Sequence, residues 1–123
     1  MYEGTVDTIK TAAGTSPIPV ASTAEIFTPA INIHGADAFG IELVGGGTTP
    51  LDILVQLQES MDGDNWAVPE GFPDIKNVTT TDRTIKQITP VPARFGRLRL
   101  KGQGSNPADA TLAIKLFRQE QTI

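Results

Sequence analysis

Apolar residues along this chain recur mainly at every second position, and Pro or Gly punctuates most windows, so no helix of three turns can be traced. Period two places alternate side chains on opposite faces of a strand, one face apolar and the other wet. The clearest instance sets Leu51, Ile53, Val55 and Leu57 against Asp52, Gln56 and Gln58, interrupted only by Leu54. Before it, Phe39, Ile41 and Leu43 alternate with Gly40, Glu42 and Val44, and Gly45-Gly46-Gly47 reads as a loop. Shorter candidates lie around Ile75 to Val78 and Ile85 to Ile88. Near the C-terminus Leu98 and Leu100 alternate with Arg97, Arg99 and Lys101, and Leu112, Ile114 and Leu116 alternate with Thr111, Ala113, Lys115 and Phe117. These last two strands are expected to pair as an antiparallel hairpin, with Leu98, Leu100, Leu112 and Ile114 in the core.

Several short strands without interleaved helices predict an all-β fold: an antiparallel β-sandwich, jelly-roll-like, with an extended N-terminal segment. Strand spacing alone admits a closed barrel as well. The 123 residues suit a single domain, 1–123, able to bury one core without staples. Within it, residues 1–30 form an arm or edge segment. Its stretch from Gly14 to Pro29 carries Pro17, Pro19 and Pro29, which withhold backbone donors from a regular ladder. Such a segment either runs along a sheet edge or reaches a neighbouring subunit.

Composition narrows the function. Cysteine is absent, which removes disulfides, thiolate zinc sites and thiol nucleophiles together. The net charge of −4 gives the whole molecule no attraction to nucleic acid or to an anionic membrane. No apolar run approaches the ~20 residues of a membrane helix. Met1-Tyr2-Glu3-Gly4 has neither a basic start nor an apolar stretch, so no secretory signal is expected. The single histidine, His34, has no nearby His, Cys or paired carboxylates to make it a base or a ligand. Asp62, Asp64 and Asn65 crowd one turn, but hairpin chemistry accounts for them as well as calcium would. An enzyme, a cofactor and a bound metal are therefore not expected.

Arg94, Arg97, Arg99 and Lys101 form a basic stripe, with Lys115 and Arg118 expected on the partner strand. Like charges across a ladder cost stability unless carboxylates come near. Those carboxylates belong either to the same chain or to a neighbouring subunit; nucleic acid is a third option, against which the overall acidity weighs. Arg97, Arg99, Lys101, Pro17, Pro19 and Pro29 are the expected subunit-contact residues.

The run Leu57-Gln58-Glu59-Ser60-Met61-Asp62-Gly63-Asp64-Asn65-Trp66 reads as strand, Ser, x, Asp-Gly, x, Asn-Trp. Further on, Pro92-Ala93-Arg94-Phe95-Gly96-Arg97-Leu98-Arg99-Leu100 reads as an aromatic residue followed by an Arg-apolar strand. Together they resemble a hairpin and strand known from small β-sandwich structural proteins of tailed-phage particles, both head-decoration (cement) and tail components. They also resemble discoidin-like sandwiches, which bind sugars or lipid head groups through loops at one end. In such a fold the Asp-Gly turn fixes register and Trp66 is expected to anchor the place where the two sheets meet. The phage resemblance implies a virion structural protein assembled in a host cytoplasm. It would act through protein–protein contacts within a symmetric homo-oligomer and with a major capsid or tail protein. The discoidin resemblance implies instead a carbohydrate-binding module, with aromatics exposed near Trp66 or Phe72.

Overall fold

A computed structural model describes residues 2–11, 13–32, 38–68, 74–88 and 95–121. His34, Phe72 and Arg94 lie outside the described residues. The described chain forms ten strands and no helix. In order they are β1 (Tyr2–Ile9), β2 (Ile18–Pro19), β3 (Glu25–Phe27), β4 (Ile31–Asn32), β5 (Ala38–Gly46), β6 (Ile53–Ser60), β7 (Lys76–Val78), β8 (Arg83–Ile88), β9 (Phe95–Gly102) and β10 (Thr111–Gln121). Every ladder is antiparallel.

Two sheets result. One has the order β1-β10-β5-β8 with β2 also on β10, and the other β3-β9-β6-β7 with β4 also on β9. The pairing is nested: β1 meets β10, β3 and β4 meet β9, β5 meets β8, and β6 meets β7. A long hairpin folded in half and rolled up gives this nesting, so the sandwich is a jelly roll.

The inner faces are the alternating apolar sets. Phe39, Ile41 and Leu43 of β5 and Leu112, Ile114 and Leu116 of β10 face Ile53, Val55 and Leu57 of β6 and Leu98 and Leu100 of β9. Each full burial of such a side chain is worth about 1.5–3 kcal/mol, so these strands carry most of the stability. The N-terminal segment is extended. It crosses on its own chain from β10 to β9, burying Ile18 and Val20 while Pro17, Pro19 and Pro29 stay exposed.

Three expectations are corrected. β9 and β10 do not pair; they occupy opposite sheets, each with neighbours on both sides. The connection between them crosses the end of the sandwich instead of turning back. Asn106, buried in that connection, donates from Nδ2 to the carbonyls of Val20 and Ser22 (both 2.8 Å) and accepts from Asp52 N–H (3.1 Å). Gly45 and Gly46 are not loop residues but the end of β5. A Cβ on Gly45 would lie 2.5 Å from Leu51 Cδ1 and 2.6 Å from the Thr80 carbonyl oxygen, so close packing excludes a side chain there. Finally, Asn65 and Trp66, expected to begin a return strand after the Asp62-Gly63 turn, lie outside any strand. The chain there touches β6 through one bridge, Glu59 with Ala67, before β7 takes over the ladder.

Candidate subunit-contact face

The side chains facing outward from the β3-β9-β6 sheet are those of even number on β6 and odd number on β9. Registers of Gln58 with Arg97, Gln56 with Arg99 and Leu54 with Lys101 place them in rows across the two strands. β3 extends two rows, since Phe27 is opposite Arg99 and Glu25 opposite Lys101.

The turn after β6 brings one more residue to this face. Asp62 Oδ1 accepts from the N–H groups of Asp64 and Asn65 (both 2.9 Å), and its Oδ2 from Asn65 Nδ2 (2.7 Å). Ser60 Oγ accepts from Gly63 N–H (2.9 Å), and Gly63 has the positive φ of +82° that such a turn demands. These donors, Asn65 N–H foremost, hold the Asp62 carboxyl far below the usual carboxylate range. Leaving the turn, Ala67 exchanges two backbone hydrogen bonds with Glu59. Glu59 is buried and Ala67 exposed, while the Trp66 ring meets Arg97, which faces outward from β9. The anchor expected between the sheets is therefore a half-buried residue on the outer face, and the gap between sheets is filled mainly by Leu, Ile and Val, with Phe39 as the core's aromatic residue.

Arg97 is the centre of the face. Its guanidinium lies over the Phe27 ring at 4.2 Å and over the Trp66 ring at 4.4 Å from the ring centroids. Its Nε donates to Gln58 Oε1 at 2.8 Å. Each cation–π contact contributes about 0.5–1 kcal/mol at an exposed site and about 2 when desolvated. Partial burial pulls the Arg97 pKa down, but a guanidinium stays charged in water. No carboxylate among the described residues pairs with it.

Its neighbours on the stripe differ. Arg99 forms a side-on pair with Glu25 Oε2, at 2.6 Å from Nη2 and 2.8 Å from Nε. Lys101 donates to the Thr23 carbonyl at 2.8 Å. Two of the three expected contact cations are thus held by their own chain. Lys115 and Arg118 belong to β10 in the other sheet, so the like-charge ladder does not exist.

Exposed apolar side chains occur in the stack and on the chain either side of Trp66. Phe27 is 40% exposed, Val68 39% and Met61 67%. A planar cation held between two aromatic rings has the composition of a protein contact core, where aromatics and Arg are enriched. A small cleft between the sheets, beside Ile9, Ile41, Leu57, Leu98 and Leu116, is apolar. No cluster of three His, Cys, Asp or Glu residues suited to a metal occurs among the described residues.

No protein-family model matches the sequence, and comparison with curated proteins gives no match. Similar solved structures are of low identity. The Yersinia pseudotuberculosis-derived mitogen is 13% identical, with 100% of this chain and 88% of that one covered, at a TM-score of 0.40. The N-terminal cellulose-binding domain of Cellulomonas fimi β-1,4-glucanase C is 12% identical, with 98% and 95% covered, at 0.45. A chain of infectious bursal disease virus Gx strain is 14% identical, with 97% of this chain and 32% of that one covered, at 0.47. The three differ in what they are, and no role for this chain follows from them. The class defined by the coordinates is a jelly-roll β-sandwich, an architecture that hosts unrelated functions.

Proposed function

We propose that the protein is a non-enzymatic structural component of a virus particle, of the head-decoration or tail type, joined to neighbouring subunits through the outer face of the β3-β9-β6 sheet. The observation that carries the contact role is the Arg97 guanidinium held between Trp66 and the partly exposed Phe27 on the outer face of the sheet. The particle itself is supported by the resemblance of the Leu57 to Trp66 and Pro92 to Leu100 sequence segments to tailed-phage structural proteins. Native mass spectrometry over a range of concentration and salt tests the reading. A defined oligomer that weakens with salt, and that Phe27→Ser or Trp66→Ser dissociates, is the expected result. An oligomer indifferent to both substitutions removes the face from the contact.

One observation favours a second reading. Trp66 lies on a sheet face that also carries the Gln58 amide, and both meet Arg97, an arrangement that also suits a carbohydrate-binding module. Against it, one face of each ring is already covered by Arg97. A monomer at every concentration together with a glycan-array signal lost in Trp66→Ser would favour this reading.

A further inference from the structure

The face carries both halves of an ion pair that its own chain does not make. Arg97 uses Nε on Gln58 and its planar surfaces on two rings, while its two Nη groups make no hydrogen bond to the described residues. A guanidinium fixed in this way loses little further freedom on pairing, and its free edge is a fork that matches a carboxylate. Two residues before Trp66, on the turn that delivers it, Asp64 is exposed. Its backbone N–H is used by Asp62, but its carboxylate makes no hydrogen bond within the described chain. Asp62 is different, since its carboxylate is consumed by the turn itself. Arg99 is likewise consumed by Glu25 and Lys101 by Thr23. Among the described residues, therefore, the stack holds a cation without a carboxylate, and the turn leading into it carries a carboxylate without a cation.

A patch that carries a donor and its complementary acceptor is self-complementary, the requirement for a two-fold contact. We infer that the occupant of this face is a second copy of the chain, with Arg97 of each copy receiving the Asp64 carboxylate of the other across a two-fold axis beside the Phe27, Arg97, Trp66 stack. The inference rests on the contact-face reading above and names its partner.

Charge exchange tests the pairing on the full chain, read by sedimentation velocity. Arg97→Glu alone and Asp64→Arg alone each place like charges across the axis twice, and each should weaken self-association by about tenfold or more. The Arg97→Glu/Asp64→Arg double variant restores both pairs and should associate again. An equimolar mixture of the two single variants should form the mixed dimer, because both of its cross-axis pairs are then opposite in charge. Recovery in the double variant or the mixture also shows that the single variants fold. The inference is overturned by a monomeric wild-type chain at every concentration. Unchanged association of either single variant overturns it too, as does absence of recovery in both the double variant and the mixture. If Phe27→Ser dissociates the oligomer while the charge exchange has no effect, the face stands as a contact and only the Arg97 to Asp64 pairing falls.

Discussion

Asn106 reaches the carbonyls of Val20 and Ser22 and the N–H of Asp52, and so ties the N-terminal segment and the entry to β6 to the connection before β10. Its removal leaves buried backbone groups without partners, each at about 1–3 kcal/mol. Asn106→Ala should therefore lose about 2–3 kcal/mol in urea unfolding, well beyond a surface Asn. Gly102 lies against the same knot, where a Cβ would run into the Ser22 carbonyl oxygen, and Gly102→Ala should destabilise as well. Asp62 makes a pH prediction. Its carboxyl is depressed in the folded chain, so its stabilisation is present above the ordinary carboxylate range and disappears as pH falls through the folded value. Asp62→Ala should melt below the parent protein at neutral pH, and the two melting curves should converge in strong acid. A constant gap across pH would assign the loss to packing instead. At this scale the sequence was legible where chemistry is local: Asp-Gly in a turn declares itself. It was silent on what sets Arg97 apart from Arg99 and Lys101, because that depends on Phe27 and Glu25, brought from far along the chain.

Strands β5, β6, β9 and β10 could be read because half-burial imposes period two on runs of eight residues or more. β2, β3 and β4 could not: two or three residues display no period. Nor did the pattern choose partners. An apolar face says which side of a strand is buried, not which strand lies beside it, and β9 and β10 satisfy the same pattern from opposite sheets. Trp66 was misplaced for a related reason, since its facing depends on a meeting with Arg97 that no spacing announces. Two outcomes test the division of labour on β9. Leu100→Ala, truncating a fully buried side chain, should cost about 2–5 kcal/mol in chemical unfolding. Arg99→Ala on the other face of the same strand should cost about 1 kcal/mol or less, since its pair with Glu25 is partly exposed. It should also leave self-association nearly unchanged, because that cation is already neutralised within the chain.

At the scale of the molecule, nested antiparallel pairing gives a rigid body with two broad outer faces, and the faces differ. That of the β1-β10-β5-β8 sheet exposes Val6, Phe117 and Ile85 among charged residues such as Glu42, Arg83 and Lys115. That of the β3-β9-β6 sheet concentrates the aromatic stack around a cation with no carboxylate of its own. Many copies on a particle would add weak contacts of this kind by avidity. The chain's only tryptophan stands inside the proposed contact, so its emission reports directly on whether that face is covered. The measurement to make is acrylamide quenching of Trp66 from dilute solution to concentrations at which the oligomer dominates. The account predicts that quenching falls as the oligomer forms and returns on dilution or in high salt. An oligomer that forms while Trp66 stays as accessible as in the dilute chain would place the contact elsewhere and contradict it.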